Sequence, residues 1–116
     1  MLTIKLTDIN NLELKMPEEK EYFVYEALNG NNRLGLIVFN FDKNNCNIAK
    51  IELADENDKY LLDGLIRAAA NFSENKGMTK LIFLDKKYNK KILNQDILIN
   101  DEIIISEIFK NCKKCK

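Results

Sequence analysis

A chain of 116 residues is the size of one domain with a real core, and 46% apolar against 31% charged residues is the balance of a globular protein. Its 18 Lys plus Arg and 18 Asp plus Glu leave a formal charge of zero, and Arg33 and Arg67 are the sole arginines, which argues against nucleic acid as a partner. Histidine is absent, which removes Ser-His-Asp and Cys-His catalysis and every His-containing metal site. No apolar run approaches ~18 residues, and MLTIKLTDIN lacks the apolar core of a leader, so a soluble, cytoplasmic protein without a membrane partner is expected. Three cysteines make an odd count, unlike the stapled framework of a small secreted domain. Neither an internal repeat nor a linker interrupts the chain, so residues 1–116 read as a single domain with a flexible tail at 111–116.

Leu2, Ile4 and Leu6 alternate with Thr3, Lys5 and Thr7, a strand with one buried face. Asp8–Asn11 breaks it, and a second alternation through Leu12, Leu14 and Met16 ends at Pro17-Glu18-Glu19. Glu21–Leu28 carries Tyr22, Phe23, Val24 and Tyr25, and this aromatic and β-branched content predicts a strand with the two tyrosines on opposite faces. Asn29-Gly30-Asn31-Asn32 is hairpin-turn chemistry. Leu34–Phe41 is nearly continuous in apolar residues, a strand buried on both faces, and a turn at Asp42–Asn45 leads into Cys46–Ala54. The three strands form an antiparallel meander.

A helix over Asp58–Lys76 follows, with Leu61, Leu65, Ala68 or Ala69, and Phe72 on one stripe. Asp55 or Asn57 can cap its start, and Lys76-Gly77 is a stop signal. Thr79–Leu84 is then a strand parallel to the one before the helix, because such crossovers are right-handed and return alongside. Lys86–Asn94 reads as a short helix. Ile97–Ile99, a turn at Asn100-Asp101 and Glu102–Ile105 read as a closing β element, although Asp101–Phe109 also fits a helix.

This order resembles the GNAT superfamily of N-acetyltransferases. The texture matches best from Gly35 to Leu84, through LGLIVFNF, IAKIEL and LLDGLIRAAANFSENKGMTKLIF, about half the chain. The resemblance implies an α+β, or α/β, mixed sheet in which the antiparallel meander precedes the strand–helix–parallel strand unit. It also implies acetyl-coenzyme A held where the two parallel strands splay, its pantetheine arm on the backbone of Leu53 and Ala54 and its pyrophosphate at the helix start. The superfamily pattern Gln/Arg-x-x-Gly-x-Gly/Ala falls on Asn57-Asp58-Lys59-Tyr60-Leu61-Leu62. The cofactor-binding positions implied are therefore Asn57, Lys59, Tyr60 and Leu62, with Tyr60 and Leu62 where the small residues stand. Asp55, Glu56 and Asp58 place three carboxylates around this turn; they favour the helix dipole and repel a pyrophosphate. Asp8–Lys20 is too short for the helix pair that the superfamily inserts after its first strand.

Two functions follow from the resemblance. One is acetyl-CoA-dependent N-acyl transfer, with a degenerate pyrophosphate turn, to a small-molecule amine or a protein acceptor. The other is a catalytically silent GNAT-fold module that binds a small molecule or a protein. For the first, Glu52 in the central strand is the candidate general base and Tyr88 the candidate acid. The plain alternatives are a solvent-facing strand residue and a surface aromatic. Cys112-Lys-Lys-Cys115 has the spacing of a redox pair or half a zinc site, or belongs to a reactive tail. The apolar Leu12, Leu14 and Met16, lacking helical cover, predict a homodimer.

Overall fold

Each strand of the meander is set by its apolar pattern, alternating or continuous, and by the turn that ends it. The computed structural model describes residues 2–12, 16 and 20–110. Strands β1 (Leu2–Thr7), β2 (Phe23–Asn29), β3 (Asn32–Asp42) and β4 (Asn45–Leu53) run antiparallel in succession. Gly30 supplies the left-handed residue of the β2–β3 turn at φ +61°, where a Cβ is disfavoured. Helix α1 (Lys59–Asn75) crosses over to β5 (Lys80–Phe83), which lies parallel to β4, and β6 (Glu102–Ile104) closes the six-stranded sheet antiparallel to β5. The short helix α2 (Ile105–Lys110) packs on β6 and α1. The expected mixed sheet and crossover are both present.

The helix covers one face of the sheet. Leu61, Leu62, Leu65, Ile66, Ala69, Ala70 and Ser73 are buried, a stripe wider than the spacing of 61, 65 and 69 alone. Phe72, half-buried, joins Phe23, Tyr25, Phe39 and Phe41 in a cluster with ring centroids 5.0–6.2 Å apart. Gly77 ends the helix at φ +88°: its N–H bonds Glu74 O at 3.0 Å and that of Met78 bonds Ser73 O at 2.9 Å, the paired bonds of a Schellman stop.

On the other face Val24, Leu36 and Val38 are buried beneath Ile9, Leu12, Met16 and Tyr22. Leu12 and Met16, half-buried themselves, thus pack within their own chain. Tyr22 and Tyr25 do take opposite faces. Leu14 and the segment end at Pro17-Glu18-Glu19 lie outside the described residues, as does the tail 111–116.

Three expectations need correction. The helix cap is Asp58, whose carboxylate accepts from Leu61 N–H at 3.0 Å; Asp55 is already engaged one step earlier, accepting from Asn57 N–H at 3.0 Å. The segment 86–94 holds only a 3₁₀ turn at Asn89–Lys91, because buried Tyr88, Asn89 and Ile92 fold it back onto the α1 side. Gln95 Nε2 clamps that turn by donating to the carbonyls of Asn89 (2.7 Å) and Ile92 (2.8 Å). Residues 97–99 are not a strand arm: a 3₁₀ turn spans Gln95–Ile97, and only Ile99 bridges to Glu102. The turn between them is as expected, with Asn100 and Asp101 both at positive φ. Beyond it the two open readings divide the segment, since Ile103 is buried in strand register while Ile105 and Ile108 are buried at helical spacing.

Candidate functional site

Strands β4 and β5 pair only from Asn45 to Ile48. At Ala49 strand β4 carries one extra residue, since Phe39 faces Ile48 while Val38 faces Lys50, and a bulge of this kind bends its strand. Beyond it the strands part. Leu84 N–H and Asp85 N–H both converge on Ile48 O, at 3.0 and 3.2 Å. The Asp85 carboxylate then fills the opening: Oδ2 accepts from Ile51 N–H and Oδ1 from Lys87 N–H, each at 3.0 Å. Because Ala54 N–H bonds Leu34 O at 2.9 Å, alternation turns the backbone of Leu53 toward the splay.

The start of α1 lies at the mouth of this splay, and the amides of Asn57, Asp58, Lys59 and Leu61 are already engaged. Asn57 N–H and Leu61 N–H go to the carboxylates of Asp55 and Asp58. Asp58 N–H goes to Asp55 O and Lys59 N–H to Asn57 O, both at 3.0 Å. Tyr60 is 82% exposed, while Leu62 is fully buried beneath the helix, so it is not placed to crowd a ligand at this turn.

Two lysines face the acidic turn from the far side of the splay. Lys87 Nζ stands 3.4 Å from Glu56 Oε2, and this carboxylate, with Tyr88 second, raises the lysine above its ordinary pKa. Lys91 Nζ donates to Glu56 O (2.7 Å) and Asn57 Oδ1 (3.2 Å). Tyr88 lies between them, with the two ammonium groups 5.3 and 5.9 Å from its ring centroid and its hydroxyl 3.4 Å from Glu56 Oε2. At 3% exposure it is a core residue of the α1 side rather than a surface aromatic.

Glu52 is elsewhere. Ile51 and Leu53 face α1, so alternation turns Glu52 to the opposite sheet face, where its side chain is 44% exposed and pairs with Lys50 at 3.4 Å. It borders a shallow depression with Arg33, Leu34, Gly35, Leu53 and Ala54. The structure therefore gathers Leu53, Asn57 and Tyr88 around one splay, sets Lys59 at the helix start, turns Tyr60 toward a groove beside β1 and leaves Glu52 on the far side of the sheet. Asp85, Lys87 and Lys91 are the residues that sequence reasoning missed; nothing in the string LDKKYNKK distinguishes them from a solvated charge run.

A pyrophosphate cradle needs backbone N–H groups left bare and an extended arm needs an open strand edge. Here carboxylates of the chain itself hold Ile51, Asn57 and Leu61, so the superfamily's acetyl-CoA grip is filled in large part by the chain, while the backbone of Leu53 still faces the splay. Among the described residues no group of three or more Cys, Asp or Glu is arranged to hold a metal ion; Cys112 and Cys115 lie outside them. No described helix is long and apolar enough to cross a membrane.

No protein-family model matches the chain, and no curated protein matches its sequence. Among solved structures the chain is similar to an IAA acetyltransferase from Bacillus cereus ATCC 14579, with a TM-score of 0.61 and 16% identity over 97% of this chain and 75% of that one. The likeness establishes a GNAT-like fold.

Proposed function

We propose that this chain is a cytoplasmic GNAT-fold module that binds a small molecule or a protein partner and does not perform acetyl-CoA-dependent acyl transfer. The observation that carries the reading is the engagement of Ile51, Asn57 and Leu61 N–H by Asp85, Asp55 and Asp58. Isothermal calorimetry of acetyl-CoA into the protein tests it, and no saturable heat is expected. Tight binding by the parent protein would overturn the reading.

A second reading has its own support: N-acyl transfer to an amine with a weakened cofactor grip. Lys87 and Lys91 bring positive charge beside the turn, and the Tyr88 hydroxyl lies in the same place. Replacing Asp55, Glu56 and Asp58 by Asn, Gln and Asn keeps an acceptor at positions 55 and 58 while releasing Lys87 from Glu56. On this reading the triple variant binds acetyl-CoA more strongly than the parent, most visibly at low ionic strength. Equal absence of binding in both proteins leaves the silent module.

A further inference from the structure

The sheet has two edges, and they differ. β6 is three residues long and continues directly into α2, whereas β1 offers six residues, Leu2–Thr7, which among the described residues pair on one side only, with β2. A long, flat edge with unpaired backbone groups is a template for another strand. On this one the apolar row is uncovered as well. Helix α1 closes on Ile4 at Gly64, where a Cβ would stand 3.1 Å from Ile4 Cδ1. Leu2 and Leu6, on either side of Ile4, remain 53% and 47% exposed. A groove of about 380 Å³ runs beside Leu2 and Ile4, lined further by Leu34, Tyr60 and Leu61 and by the polar Asn29 and Asp58. The cover formed by Ile9, Leu12 and Met16 is on the other face of the sheet and leaves this row open.

We propose that β1 pairs antiparallel with β1 of a second copy about a two-fold axis at Ile4, joining two six-stranded sheets into one. The sequence of the strand singles out this occupant and this register. With Ile4 opposite the partner's Ile4, Leu2 meets the partner's Leu6 and Leu6 the partner's Leu2, so the whole apolar row is buried on the α1 side. Thr3 then faces the partner's Lys5, which keeps the two lysines apart. A slip of one residue turns the partner's row to the other face. A slip of two either sets Lys5 against the partner's Lys5 or leaves Leu6 without an apolar neighbour. The partner's Leu6 also arrives beside Leu2 at the groove, near exposed Tyr60.

Sedimentation equilibrium of the full chain across micromolar concentrations tests the association, and a dimer is expected. The double variant Leu2→Lys/Leu6→Lys, altered at half-exposed positions, should keep the parent's circular dichroism while its dimer dissociation constant rises roughly tenfold or more. The register is tested by oxidation in a Cys112→Ser/Cys115→Ser background. In the proposed pairing two copies of Ile4→Cys have Cα atoms about 4.5–5.5 Å apart, within disulfide reach, whereas two copies of Lys5→Cys are about 8 Å apart, beyond the roughly 7 Å limit. Cross-linking by Ile4→Cys alone supports the proposal. A monomer at every concentration, a dimer indifferent to the two lysines, or cross-linking by Lys5→Cys overturns it.

Discussion

Gly35 sits where β3, β4 and α1 approach most tightly, and the cost of giving it a side chain can be worked out. A Cβ at this position would stand 2.8 Å from Glu52 O, 3.1 Å from Leu53 Cδ2 and 3.3 Å from Leu65 Cδ1. The two leucine methyls can rotate away. The carbonyl cannot, because it belongs to the ladder in which Leu36 faces Glu52. Gly35→Ala therefore forces β3 and β4 apart at the end nearest the splay, an overpacking cost of about 1–3 kcal/mol. Loss of glycine's freedom in the unfolded chain offsets about 0.4–1 kcal/mol of this. A net destabilisation of about 1–2 kcal/mol is expected, read in urea as a lower midpoint at unchanged slope. The cost should persist in a Leu65→Ala background, since shortening Leu65 removes only the 3.3 Å contact. Parent-like stability of Gly35→Ala would refute the reasoning.

Leu65 itself is fully buried beneath α1, so Leu65→Ala should cost about 2–5 kcal/mol in the same assay. Asp58→Ala removes the helix cap and should cost about 0.5–2 kcal/mol, whereas Asp58→Asn, which still accepts from Leu61 N–H, should stay close to the parent in urea unfolding. Lys86, 3.1 Å away, and the Asn89 amide hold the Asp101 carboxyl below its ordinary range. A carboxyl depressed in the folded state stabilises it above the unfolded pKa near 3.8 and loses that contribution as pH falls through the folded value. Thermal midpoints of parent and Asp101→Asn, which tolerates the positive φ, should therefore converge on acidification below about pH 4. Burial pushes the Cys46 thiol up to about 12, with the Ser73 hydroxyl pulling weakly the other way. In a Cys112→Ser/Cys115→Ser background, iodoacetamide should leave Cys46 unmodified by mass spectrometry until the protein is unfolded.

The parts of this fold legible in the sequence are those where one local signal decides. Aromatic and β-branched content and a continuous apolar run located the meander, Asn29-Gly30 its turn, and Leu61, Leu65 and Phe72 with Gly77 the helix and its stop. The missed features depend on contacts distant in sequence. Which of Asp55, Asn57 and Asp58 caps α1 depends on Asp55 first closing a turn onto Asn57. Tyr88 and Ile92 are buried because the chain after β5 folds back on the α1 side, a choice that neither residue's spacing reveals. The candidate site was legible to the same degree. The strand–helix–strand unit marked the splay, and the three acids marked its helix end. Asp85 lies 34 residues from the amide it holds, and no local pattern connects the two.

The energetics of the splay favour the silent reading over the acyltransferase. In a bare cradle every N–H offered to a ligand adds a hydrogen bond to binding. Here an arm that reaches along β4 as far as Ile51 must displace Asp85, and an anion bound by the amides of Asn57 and Leu61 must displace Asp55 and Asp58. A hydrogen bond to a charged acceptor is worth about 1.5–3 kcal/mol. The Asp55 bond is exposed and adds little, and the two part-buried bonds, exchanged rather than added, withhold about 3–6 kcal/mol, roughly two or more decades in affinity. Lys87 and Lys91 do not restore the difference, because they already engage Glu56 and Asn57. The acidic turn, its two lysines and the Asp85 plug thus satisfy one another, and on this reading they hold β4, α1 and the segment after β5 together rather than awaiting a phosphate. Recognition then falls to surfaces that the chain leaves open. Among the described residues these include the β1 edge with its groove, a groove beside β6 lined by Lys80, Ile99, Glu102 and Ile104, and the depression bordered by Glu52 and Gly35.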